Sequence, residues 1–259
     1  MTSAIGYLIF DTESIPDGTL LAKVKYAREE LTPDAAIERA QTEARAASGN
    51  KSDFLPVTFQ IPISASLLEV GDDFAPRRIR CLTGAPRELV AEFWAEVERE
   101  PRRLVTFNGA GFDLPLLELA AFRYGVAVPG HFSRRSTADD AGHLDLMDWL
   151  SNRGAIRFHG GLNLLSKLLG KPGKMDVHGD KVHALHRAGR HQEINDYCLF
   201  DTLDTYFVFL RTRVLTGELS LNEEQAMVHR VRSWLDTQSV EFPGLRVYLD
   251  NWGDWHPWV

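Results

Sequence analysis

The 259-residue chain is predicted to be an α/β protein with a mixed central sheet flanked by helices. Three observations predict this. An apolar run of strand length, Ala4-Ile5-Gly6-Tyr7-Leu8-Ile9-Phe10, opens the chain. A β-branched, partly alternating stretch over 54–68, a Gly71-Asp72-Asp73 turn and a further strand over 77–82 then extend it into a meander. Finally, a helix over 86–98, a short strand over 104–108 and a helix from Asp113 to about Tyr124 alternate, which makes part of the sheet parallel.

The first strand stops at Asp11-Thr12-Glu13. Side chains alternate along a strand, so Asp11 and Glu13 share one face at its end and repel each other. Two readings are open. One is a polar turn helped by Pro16-Asp17-Gly18; the other is a site for a hard divalent cation, which oxygen ligands suit. Residues 20–50 form a helical excursion broken at Thr32-Pro33-Asp34, where Thr32 caps a second helix and Pro33 takes its first position. The strand over 54–68 contains Pro62, which places it at an edge or a bulge. In 86–98, Leu89, Val90, Phe93, Trp94 and Val97 recur at helical spacing, opposite a face of Arg87, Glu88, Glu92, Glu96 and Glu98.

Beyond Tyr124, residues 130–142 read as an exposed loop and order resumes at 143–150. A helix follows over 161–170 with a glycine stop, and the longest periodic helix covers 192–216. A helix over 222–235 and a tail carrying Trp252, Trp255 and Trp258 complete the chain. Those tryptophans either stack on bases or pack on the body of the domain. The expectation is one domain over 1–259, with a helical insertion at about 20–50 and a C-terminal helix plus Trp-rich tail at about 218–259.

Lys and Arg number 29 against 36 Asp and Glu, a net charge of −7, which argues against coating nucleic acid by bulk electrostatics. A polyanionic partner has to be held locally. Between 167 and 191, Lys167, Lys171, Lys174, Lys181, Arg187 and Arg190 oppose only Asp176 and Asp180, either a phosphate track or solvated loop charge. The two cysteines, Cys81 and Cys198, form no CxxC pair, so neither a disulfide framework nor a zinc site is indicated and a reducing, cytoplasmic setting is expected. Neither a signal peptide nor a membrane span is read in the chain.

Four carboxylates and a phenol remain. Asp11 and Glu13 end the first strand, Asp113 opens a helix, and Tyr197 and Asp201 lie four apart on one helix face. Individually, Asp113 also reads as a helix N-cap, Tyr197 as core and Asp201 as an exposed acid. Jointly they supply converging oxygen ligands from separate elements, as a two-metal phosphoryl site requires.

Three motifs carry a resemblance. The sequence resembles the tyrosine-bearing branch of the DEDD superfamily of 3′-to-5′ exonucleases, and is similar to predicted exonucleases related to the proofreading domain of family B DNA polymerases. FDTESIPD matches the first exonuclease motif, FNGAGFDLPLL the second and YCLFDTLDT the third; HLDL and GKPGKMDVHGDKV also resemble that family. The resemblance implies an RNase H-like fold and metal-dependent hydrolysis of terminal phosphodiesters at a free 3′ end, most readily of single-stranded DNA. The alternatives are an exoribonuclease or a catalytically silent nucleic-acid-binding module. It also implies two divalent cations, Mg2+ or Mn2+. Asp11, Glu13 and Asp201 would hold one, Asp11 would bridge to the other, and Asp113 would ligate the second. Tyr197 would orient the attacking water, and Thr12, Asn108, Phe112 and Lys174, or Lys171, would contact the nucleotide.

Overall fold

The computed structural model describes residues 5–135, 142–175 and 181–257. Among them a five-stranded sheet has the order β3-β2-β1-β4-β5, with β1 at Ile5–Pro16, β2 at Gln60–Gly71, β3 at Pro76–Leu82, β4 at Arg103–Thr106 and β5 at His143–Asp145. β1 pairs antiparallel with β2 and parallel with β4, β3 pairs antiparallel with β2, and β5 is parallel to β4. The mixed sheet expected from strand and helix alternation is present.

β1 is longer than its apolar run. Parallel pairing to β4 ends at Ile9↔Val105, whereas antiparallel pairing to β2 runs on to Pro16↔Gln60. The strand therefore does not stop at the carboxylates, because backbone pairing continues on the β2 side after the apolar core has ended. Asp11 and Glu13 lie on a strand covered on one edge only. The register slips between Glu13↔Ser64 and Ser14↔Pro62, so Pro62 sits at a bulge, where its missing N–H costs no ladder bond. Residues 54–59, expected as strand, are instead a loop with a 3-10 turn at Val57–Phe59.

Alternation along β1 feeds two cores. Leu8 and Phe10 pack with Leu89, Phe93 and Trp94 of α3 (Pro86–Arg99) and with Leu114 and Leu117 of α4 (Asp113–Tyr124). Trp94 also donates its indole N–H to the Leu117 carbonyl at 3.1 Å. Ile9 faces the other way, into a core with Leu199, Leu203, Phe207 and Leu210 of α9 (His191–Leu215), the helix that follows α7 (Gly161–Leu168) and α8 (Val182–Arg187). α9 is buried nearly all round from Tyr197 to Arg213, since the sheet covers one side and α10 (Leu221–Gln238) and α11 (Leu245–Asp250) lie against it as well. Trp252 packs on Phe207 with ring centroids 5.0 Å apart, and Trp255 lies under Arg211 at 4.7 Å; Trp258 lies outside the described residues.

Two helices lie between β1 and β2, α1 (Gly18–Val24) and α2 (Pro33–Ala47). Asp17 caps the first through Leu20 N–H and Thr32 caps the second through Ala35 N–H, with Pro33 at the first position. Leu21, Tyr26, Ala36, Ile37, Ala40 and Leu55 give them a small core of their own.

Residues 130–142 are not wholly a loop: α5 spans Pro129–Arg135. Glu98 accepts the N–H groups of Gly130 and His131, and buried His131 faces Glu118 at 2.8 Å, so tertiary partners order a segment of low apolar content. The basic stretch is not one continuous face either. Lys171 is 3% exposed, with its ammonium 4.0 Å from the Trp252 ring centroid and bonded to the Gly253 carbonyl, so it is unavailable to a phosphate. Asp176 and Asp180 lie outside the described residues. No helix among the described residues is long and apolar enough to cross a membrane.

Candidate active site

β1 carries Asp11 and Glu13 onto the α9 face, opposite Ser66 and Ser64 of β2. These fully buried serines are small, which leaves room above the strand for the acids. Asp201, from the middle of α9, meets them. One carboxylate oxygen from each of Asp11, Glu13 and Asp201 lies within 4.8 Å of the others. Glu13 is buried at 8% exposure and the other two are half-buried.

Asp113 approaches from the other side of the open β1 edge. It is the first residue of α4, behind Phe112 as N-cap, so it is not itself the cap. Its carboxylate accepts the Thr12 hydroxyl at 2.5 Å and also faces the Thr12 and Asp113 backbone N–H groups. Where β4 no longer covers β1, Asp113 satisfies the strand edge. It stands outside the group of three, yet among neighbouring charges it raises Asp11 most.

The electrostatics are those of uncompensated negative charge. Burial first, and then the neighbouring carboxylates, push Asp11 and Glu13 well above the usual range. Burial raises Asp201 to about 6 and Asp113 to about 7. Exposed Lys174 opposes this, its charge lowering both Glu13 and Asp201. The Tyr197 phenol acts as a hydrogen-bond donor to Asp201, and burial together with the carboxylates raises its own pKa further. Cys198, on the same helix turn, donates its thiol to the Asp11 carbonyl at 3.3 Å. An all-oxygen donor set of crowded, buried carboxylates fits a hard divalent cation, which would remove the repulsion that raises these groups.

The remaining expected contacts are spread around this centre. Thr12 and Phe112 flank Asp113, and Lys174 faces the acids. Asn108 lies on an exposed turn with φ +67°, a conformation Asn tolerates. Gly109 follows because a Cβ there would lie 2.3 Å from Thr106 Oγ1.

Sequence reasoning did not assign Asp145. At the start of α6 (Leu146–Leu150), its carboxylate accepts the N–H groups of Asn108, Ala110 and Met147, each at 2.9 Å. It thereby fixes the turn that delivers Phe112 and Asp113. The HLDL segment was the visible signal, but the partners are backbone groups 35 and 37 residues earlier, which no side-chain pattern displays. Asp145→Ala is expected to cost roughly 2–3 kcal/mol in denaturant unfolding, the weight of hydrogen bonds to a charged acceptor. Activity should fall with it, whereas an unchanged midpoint would show that water replaces the carboxylate.

A mixed sheet with helices on both faces, bearing an acidic cluster on its central strand, defines an RNase H-like protein with a candidate metal centre. The chain belongs to the family of predicted 3′-5′ exonucleases related to the exonuclease domain of PolB, matching it over residues 52–252. That span includes Asp113, Tyr197 and Asp201; Asp11 and Glu13 precede it and join the site by geometry. No curated protein matches the chain.

Proposed function

We propose that the protein is a metal-dependent 3′-to-5′ exonuclease acting on nucleic acid with a free 3′ end, foremost single-stranded DNA. One observation carries this reading: Asp201 of α9 is folded onto Asp11 and Glu13 of β1, in a chain whose family is one of predicted exonucleases. Bound Mg2+ or Mn2+ ions, two in this reading, would supply Lewis acidity and a water acidic enough to attack at neutral pH. Asp11, Glu13 and Asp201 would hold one ion, and Asp113 with Asp11 the other.

The chain's own groups do the rest. Tyr197 keeps its proton at neutral pH, because burial and the carboxylates disfavour the phenolate, so it orients the attacking water and does not deprotonate it. Thr12 holds Asp113 in place through its hydroxyl and N–H. Phe112 offers a ring to the terminal base irrespective of its identity, Asn108 offers an amide beside it, and Lys174 offers an ammonium to the adjoining phosphate.

The test is strand shortening with Mg2+ or Mn2+, using strands labelled at the 3′ or the 5′ end, as DNA and as RNA. Stepwise loss from the 3′ end of DNA is expected. Intact strands with both metals would leave a binding module, and degradation of RNA alone would make it an exoribonuclease. Tyr197→Phe is expected to lower kcat about 10- to 100-fold with KM nearly unchanged, since it removes one hydrogen bond to the site while leaving the carboxylates.

A further inference from the structure

Phe54 is 53% exposed, yet the backbone around it is tied down. Leu55 is buried in the small core shared with α1 and α2, and its carbonyl accepts the Gln60 side-chain amide at 3.1 Å. The Phe54 N–H is bonded to Ser52 Oγ at 3.1 Å, and Asp53 pairs with Arg45 of α2. The segment thus holds an apolar ring half in water, where only the buried half contributes to folding. Its ring meets that of Phe112, with centroids 5.7 Å apart and planes inclined by 51°. Phe112 is the N-cap of α4 and immediately precedes Asp113, so the pair stands at the end of the helix that carries this acid.

We propose that Phe54 and Phe112 form a two-ring platform for the last two bases of the strand, and that Phe54 makes the enzyme favour an unpaired 3′ end. The inference rests on the exonuclease reading and deepens it by naming what selects the substrate. Successive bases in a duplex are stacked parallel, whereas rings inclined by 51° cannot both lie flat on parallel bases. A strand seated on both rings must splay its last two bases. Splaying costs stacking and pairing energy in a duplex, and far less in a single strand or at a mismatched end. Stacking also suits a chain of net charge −7, because it holds nucleic acid through base faces and not through a basic surface. The helices α1 and α2 gain a role by this account: their core anchors Leu55 and so aims Phe54 at the site.

Steady-state kinetics on a single strand and on a blunt duplex of the same sequence provide the test. Phe54→Ala is expected to raise KM for the single strand about 5- to 150-fold, the weight of one base stacked on an aromatic ring, with kcat little changed. The ratio of single-strand to duplex kcat/KM should fall by a similar factor. Phe54→Trp should restore both, together with whatever thermal stability the half-buried ring supplies. Wild-type KM and strand ratio in Phe54→Ala would overturn the proposal. To separate its failure from that of the exonuclease reading, a fluorescent single strand is titrated into Asp11→Asn and into Asp11→Asn/Phe54→Ala. A 5- to 150-fold weaker affinity in the double variant supports the platform even if the wild-type protein proves inactive, and equal affinities refute it.

Discussion

Asp11→Asn is expected to lower nuclease activity by at least about a thousandfold while making the metal-free protein more stable. The loss follows from position. Asp11 is the member of the cluster that faces all three other acids, and its charge is the one the proposed mechanism uses twice. Several kcal/mol of transition-state stabilisation depend on a cation held there, and an amide oxygen of the same shape is a much weaker ligand. The stability gain follows from the same crowding. In the metal-free fold Asp11 is desolvated beside Asp113, Asp201 and Glu13, with Lys174 lowering Glu13 and Asp201 from the exposed side. Neutralising one charge relieves that repulsion by on the order of 1–3 kcal/mol, which for a chain of this size raises Tm by roughly 2–10 °C. Function and stability therefore move in opposite directions at one residue. Kinetics with Mn2+ and a thermal melt in chelator check both; a destabilised Asp11→Asn would mean the carboxylate serves the fold.

The unequal legibility of the site has a physical source. Asp11 and Glu13 could be placed on one face because strand alternation is a local rule, and Tyr197 and Asp201 because helical spacing is another. The α/β class with its mixed sheet rested on the same local periodicities, whereas the RNase H-like architecture rested on the resemblance carried by three motifs. β1 could not be bounded from its own residues, since its extension to Pro16 is fixed by pairing with β2 about fifty residues away. Residues 129–135 were missed for a similar reason: their helix is held by Glu98 and Glu118, partners outside the segment. Lys171 and Lys174 are indistinguishable as letters three apart, but Trp252 covers one while the other stays in water beside the acids. Long-range contact decided each of these cases, and composition could not report it.

A second large effect is expected when pH and metal are varied together. A carboxyl whose folded pKa lies above its unfolded value contributes its full stability below the unfolded value and loses it as pH rises through the folded one. Asp201 is pushed up to about 6 and Asp113 to about 7, from 3.8. Metal-free protein should therefore lose stability as pH climbs from about 4 to 7, on the order of 3 kcal/mol from Asp201 and about 4 kcal/mol from Asp113 taken singly. His183 and His186 oppose the trend, because burial lowers their pKa values and stability is lost when they are charged on acidification. The comparison is consequently made between the wild type and Asp201→Asn, in which the histidine contributions cancel and the slope with pH should shrink. Mn2+ is expected to reverse the loss. Binding to the folded state alone stabilises by about 2.7 kcal/mol at a hundredfold excess over Kd, and deprotonated carboxylates are required for it. The Tm increment from Mn2+ should thus be several degrees near pH 8 and small near pH 5, and Asp201→Asn should abolish most of it. Equal increments at both pH values, or one that survives Asp201→Asn, would place the cation elsewhere than between β1 and α9.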